Sequence, residues 1–364
     1  TAHLYGKTKR MIKSFFKFNV TNRQWHMPIV AGVSVGIPLL LGWFLNNIEA
    51  GKLGTLAGLS ILYIQSNRLV ERMIFLMLCS FGIMTSYTIG LLFSFNPYLA
   101  PFALALFSFG VHFSLHKLGL NRPPGNFFFI MLASMAICTP FHLESIPEKV
   151  GYLAMGTILT CGIGLIYSLL TLKETNEAEV KRPPQKKYTN IVESLTFGLF
   201  MGISLAVAFS LKLEKPYWIP ISCLAVMQGI STKHIGMRAA QRIIGTFLGL
   251  VITWIIALGN PSTLGIVIGI ILLQVIVEFL IVRNYAVSVI FITVLTIFLA
   301  ETGGDLLQNT NQVFFARFID IVIGSVIGII GGWILYHEKI HFQATMHIKK
   351  SKVVMKKMNF RKKI

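Results

Sequence analysis

The chain has 364 residues, 54% of them apolar and 13% charged, at a mean hydropathy of +0.69. That is too little polar surface to coat a water-soluble domain of this length, and long uncharged runs recur throughout, so the sequence describes a polytopic membrane protein. The net charge of +19 would point to nucleic acid in a soluble protein; here it gathers in the tails and alternate loops, as topology signals do, and no nucleic-acid partner is expected.

Residues 1–28 are basic and amphipathic, with Phe15, Phe16 and Phe18 among lysines. They lack the continuous apolar core of a cleavable signal peptide, and the expectation is that they lie along the inner membrane surface. Twelve apolar segments follow, at about 29–46, 54–66, 73–93, 98–116, 125–141, 150–171, 194–211, 217–229, 243–258, 263–282, 285–300 and 314–336. Each reads as a membrane helix, which predicts an all-α fold. With both termini inside, the inner segments hold 28 of the 33 lysine and arginine residues, and the outer loops hold only Lys52, Lys149, Lys212 and Lys215. A shift of one helix would scramble that bias, so the predicted topology is twelve spans with both ends cytoplasmic, in a bacterial cytoplasmic membrane.

Residues 172–193 are charged and carry Pro183-Pro184, and they read as a linker between two membrane units, 29–171 and 194–336. A basic cytoplasmic tail, 337–364, closes the chain. Arg68 and Arg72 precede the third segment as Arg238 and Arg242 precede the ninth, and Arg122 and Arg283 stand before the fifth and eleventh. Two parallel six-helix repeats account for this, since six is even. The second segment of each unit is short, about 13 residues or roughly 20 Å as helix, against a hydrocarbon core of about 30 Å. Gly54 and Gly58 interrupt one and Pro220 the other. Short spans at matching positions point to a transport site at mid-depth; the alternative is that both spans run longer, with polar flanks buried in protein.

Candidate substrate-binding residues are Arg242 with its counterpart Arg72, Arg317 with Asp320, Tyr217 with Trp218, and Gln228 with Gln65. Arg242 abuts an apolar run and suits an anion path, with topology anchoring as the alternative. Arg317 and Asp320 lie inside a span at i, i+3, where charges are paired or face a pore. Tyr217 and Trp218 are either interfacial anchors or a stacking surface for an aromatic substrate. Gln65 and Gln228, near the inner ends of the short segments, suit hydrogen bonds to a carboxylate. Candidate proton-coupling residues are Glu278, His112 and His116, with structural hydrogen bonding as the alternative for the histidines. Gly245, Gly249, Gly324 and Gly328 form small-xxx-small patterns that predict close helix packing. No nucleotide-binding loop, metal cluster or Ser-His-Asp arrangement is present in the sequence, so no cofactor, no metal and no enzymatic activity are expected.

Tyr217-Trp218-x-Pro220, followed by Arg238-x-x-x-Arg242-x-x-Gly245-Thr246-x-x-Gly249, resembles the signature of the fusaric acid resistance protein family, also called aromatic acid exporters. Arg317-x-x-Asp320-x-x-x-Gly324 is similar to the family's second signature. The resemblance covers roughly 190–336; in the first half Arg68 and Arg72 are kept, but Phe75-Leu76 stands where Gly-Thr would be. It implies export of aromatic or other amphipathic carboxylates, driven by the proton gradient. A distant likeness to plant malate channels keeps a passive anion channel open. A lipid-directed transporter and a membrane scaffold for envelope assembly are the other readings. Expected partners are membrane lipids, a small organic anion and, in one reading, a second copy of the chain in a homodimer.

Overall fold

The computed structural model describes residues 18–21, 23–64, 68–119, 123–171, 187–229, 231–301, 310–337 and 346. The helices are, in chain order, α1 (Met27–Phe44), α2 (Ile48–Gly58), α3 (Leu69–Leu92), α4 (Ala100–Leu118), α5 (Phe127–Ile137), α6 (Ile146–Thr171), α7 (Lys187–Ser210), α8 (Trp218–Met227), α9 (Thr232–Leu258), α10 (Thr263–Leu280), α11 (Tyr285–Glu301) and α12 (Thr310–Tyr336). A 3-10 turn, Leu59–Tyr63, continues α2, and another, Leu143–Ser145, leads into α6. Among the described residues there is no strand. Seven helices (α1, α3, α6, α7, α9, α10 and α12) are long and apolar enough to cross a membrane by length and composition.

The helix ends follow from local chemistry. Asn47, Ser231 and Ser262 cap α2, α9 and α10, their side-chain oxygens accepting from the amides of Ala50, His234 and Gly265. Gly119 ends α4 at φ 73°, a left-handed position that a Cβ would strain. Large apolar side chains such as Phe81, Phe102 and Leu170 point outward, where only lipid would suit them.

Of the two short segments, the first begins earlier than its apolar run, α2 and its 3-10 turn extending from Ile48 to Tyr63, while the second stays short. α8 has ten residues, about 15 Å, and every one is buried. Its last turn is satisfied by neighbours: Arg238 Nε donates to the Ala225 carbonyl at 3.1 Å, and the Tyr336 hydroxyl to that of Gly229 at 2.6 Å. Broken backbone in a membrane persists when protein supplies such partners. The ninth apolar segment differs from its reading. The helix begins at Thr232, capped by Ser231, so Arg238 and Arg242 lie inside α9 rather than ahead of it. The apolar run that marks this span starts only at Ile243, and apolarity alone hides the polar first turns.

Within the first six helices, α1 packs on α2 and α6, α2 on α6, α3 on α5 and α6, and α4 on α5. Within the last six, α7 packs on α8 and α12, α8 on α12, α9 on α11 and α12, and α10 on α11. Two large seams join the groups, α4 against α7 and α1 against α10, and α5 makes a smaller contact with α8. Both large seams use glycine pairs at i, i+4. A Cβ on Gly198 would lie 2.5 Å from the Ala105 carbonyl oxygen, and one on Gly202 would lie 2.8 Å from the Ala105 Cβ. On the other seam, a Cβ on Gly36 would meet Ile271 at 2.8 Å, and Gly32 faces Val275. Residues ahead of α1 bind the second seam further: the Asn19 amide donates to the Arg283 carbonyl at 2.9 Å, and Arg23 pairs with Glu278 at 2.8 Å.

Candidate functional site

The short helix α8 collects the charged residues. Gly324 and Gly328 let α12 approach it closely: a Cβ on Gly328 would lie 2.8 Å from the Val226 Cβ, and Gly324 faces Ile219 and Ser222. The same contact brings the first turns of α12 to Trp218. The Arg317 guanidinium lies over the Trp218 ring, and Arg317 Nη2 donates to Thr296 Oγ1 of α11 at 3.0 Å. Tyr217 packs on Trp218, their ring centroids 4.9 Å apart.

These residues border a pocket of about 20 Å³, lined by Trp218, Thr296, Ala300, Arg317 and Asp320 with Glu214 and Lys215 at the entrance to α8. That volume holds about one water molecule, so the pocket must widen to admit an organic acid. Arg317 and Asp320 are both buried, at 6% and 2% exposure. They do not close a contact ion pair. Arg317 is drawn instead to Trp218 and Thr296, while its charge acts on Asp320 through space. Asp320 Oδ1 is buried with no hydrogen-bond partner. An aromatic face, a guanidinium and an uncommitted carboxyl oxygen thus meet in one small cavity. The set can stack a ring, attract an anion and exchange a proton. Lys52 of α2 reaches the same wall, its Nζ donating to the Ala300 carbonyl at 3.2 Å. No periodicity or motif marks Lys52 or Thr296 as site residues; only the fold brings them here.

The other candidates lie apart from this pocket. Arg242 is buried one helical turn along α8 from Trp218, its Nη2 donating to Ser222 Oγ at 3.3 Å. Gln228 Nε2 donates to Asn126 Oδ1 at 2.6 Å, which ties α8 to the start of α5. Arg72 is buried against α6, where its Nη1 donates to Thr171 Oγ1 at 2.9 Å. Gln65 lies outside the described residues.

The proton-coupling candidates are divided between the seams. His112 and His116 lie against each other on α4, their rings tilted and the centroids 4.5 Å apart, and both face α7: His112 Nδ1 is 2.9 Å from Ser194 Oγ, and His116 Nε2 is 3.8 Å from Glu193 Oε2. Glu278 stands on α10, where Arg23 Nη2 and Gln274 Nε2 donate to its two oxygens at 2.8 and 3.3 Å. The fold therefore does not bring Glu278 to the histidines. Each seam instead carries its own acid–base pair.

A chain made of long apolar helices, with few charged side chains buried among them, is a multi-pass helical membrane protein. Residues 203–331 match the family described as fusaric acid resistance protein-like, and Tyr217, Trp218, Arg242, Arg317 and Asp320 all fall within that match. The chain is also 33% identical over 150 residues to an uncharacterized membrane protein, YvaC, of Bacillus subtilis. That alignment takes in 41% of this chain and 23% of the relative, so the chain spans about a quarter of that protein's length. No solved structure matches the chain.

Proposed function

We propose that this protein is a transporter, not an enzyme, and that it exports amphipathic or aromatic organic anions from the cytoplasm of a bacterial cell. The observation that carries the reading is the Trp218–Arg317–Asp320 pocket in a region of the fusaric acid resistance protein-like family. A ring stacks on Trp218 or Tyr217 while its carboxylate meets Arg317. Asp320 takes up and releases the proton that accompanies the anion, and Arg242, with Arg72 in the other half, receives the anion from the inner side. Glu278, His112 and His116 serve the same proton coupling at the seams, where a change of charge would alter how the halves meet.

In this reading all twelve helices cross the membrane as two parallel six-helix repeats, with both termini inside. The helix pairings of the first six recur six positions later, and the seams α4·α7 and α10·α1 are related by the same step, which supports a two-fold arrangement about the membrane normal. The two repeats would rock about their seams to open the pocket to either side.

Flux of benzoate and larger aromatic carboxylates into proteoliposomes tests the proposal. Wild-type protein should give saturable flux that follows an imposed pH gradient, and Arg317→Gln should lose it. Flux that ignores the gradient identifies a passive channel, and no flux of any anion from folded protein overturns the reading in favour of a lipid substrate or a scaffold.

A further inference from the structure

Arg238, Arg242, Tyr285 and Ser222 form a second polar cluster, outside the Arg317 pocket. Arg238 and Arg242 are four residues apart on α9 and share a face. The Arg238 guanidinium lies 4.1 Å from the centroid of the Tyr285 ring, at the start of α11. Its Nε is committed to the Ala225 carbonyl of α8. Arg242 is 6% exposed and gives Nη2 to Ser222 Oγ. The Tyr285 hydroxyl is within electrostatic reach of both guanidinium groups. That hydroxyl is set among the N–H groups of both arginines, yet no hydrogen bond of good geometry closes at it or at Arg242 Nε, and both atoms are buried.

Charge completes the picture. Among the described residues, neither arginine is in an ion pair. The Arg242 guanidinium is therefore buried, with the half-buried Arg238 one turn away, and no counter-charge offsets the cost of placing it there. Arginine only donates hydrogen bonds, and the serine and tyrosine hydroxyls can turn to donate as well. The cluster is built to be completed by a ligand that only accepts and carries negative charge.

We infer that this cluster binds one small monovalent anion, a halide or the carboxylate group of a carried acid, between α8, α9 and α11. In its carboxylate form the inference rests on the transport reading above: α8 then holds two anion stations, Trp218 with Arg317 and Ser222 with Arg242, about 6 Å apart along its axis. Arg238 and Tyr285 are the parts of the inner station that no sequence motif singled out.

The test uses the full chain in nanodiscs, in a buffer whose only anion is a bulky sulfonate, at constant ionic strength. Sodium chloride and sodium benzoate are added separately and the thermal unfolding midpoint is followed. At least one of them should raise the wild-type midpoint saturably. Arg242→Gln and Tyr285→Phe should weaken that response at least tenfold, and Lys233→Gln, which removes a charge from an exposed position on the same helix, should keep it. Tyr285→Phe removes a single hydroxyl, so the test survives if Arg242→Gln folds poorly. The inference is overturned if neither anion acts on wild type, or if the response is the same in Tyr285→Phe. A retained chloride response with no benzoate flux would sink the transport reading and leave the cluster standing. Benzoate flux with no response at the cluster would do the reverse.

Discussion

At Glu278 a single carboxylate shows how position within the fold decides what a charge does. Its side chain is 8% exposed, while that of its partner Arg23 is 23% exposed. The two substitutions that break the pair are therefore not equivalent. Removing Arg23 leaves a buried carboxylate with only Gln274 for company, whereas removing Glu278 leaves an arginine that already reaches water. Arg23→Gln should destabilise the protein by roughly 2–4 kcal/mol, and Glu278→Gln by less. Unfolding midpoints in matched lipid decide this, and a larger loss in Glu278→Gln would contradict it. The sequence identified Glu278 as a costly intramembrane acid because a lone charge stands out in an apolar run. It gave no sign of Arg23 as the partner, because 255 residues separate them and Arg23 is one of many cations in a basic segment. Arg317 and Asp320 were legible for the same reason as Glu278. That they share a pocket without touching depends on the draw of Trp218 and Thr296, which spacing on one helix does not report.

Among the elements, α8 does most to shape the site. Its shortness was visible in the sequence as a brief apolar run holding Pro220. The start of α9 was not, because polar residues fill its first turns and a serine cap is a weak signal beside a hydropathy profile. The glycines of α12 were legible as a packing motif, and the structure names their partner: Gly324 and Gly328 let α12 lie against the backbone of α8. Gly324→Val should force the two helices apart, costing roughly 2 kcal/mol or more, and should weaken benzoate binding by moving Arg317 from Trp218. Gly110 of α4 has nothing within 4 Å of an added Cβ, and Gly110→Ala should change stability little. Equal effects of the two substitutions on the unfolding midpoint would refute the assignment of Gly324 as a contact glycine.

For the molecule as a whole, the seams carry the architecture. The glycine pairs Gly32/Gly36 and Gly198/Gly202 have the same spacing in the sequence, although only those of α9 and α12 were singled out from it. The partners of the first two pairs, α10 and α4, were not legible there, because nothing in one apolar helix names the helix that will lie against it. A cysteine at Ala105 and another at Gly202, in a chain lacking its four native cysteines, should form a disulfide across the α4·α7 seam, since the two Cβ positions are 2.8 Å apart and need only a small shift to reach disulfide geometry. With a protease site introduced between residues 172 and 186, the cleaved chain should run as one band on a non-reducing gel and as two after reduction. Two bands without reductant would place the seam elsewhere.

The second seam has a consequence for how the protein is made. α1 leaves the ribosome well ahead of α10, yet its glycine face waits for that helix, which follows more than 200 residues later. Until then Gly32 and Gly36 face lipid or a borrowed neighbour, while helices α2 to α9 insert behind them. The seam closes only when α10 arrives and Arg23 meets Glu278. A nascent chain stalled before that point carries an unfilled groove on α1, and such a groove is the natural handle for a membrane insertase or a quality-control protease.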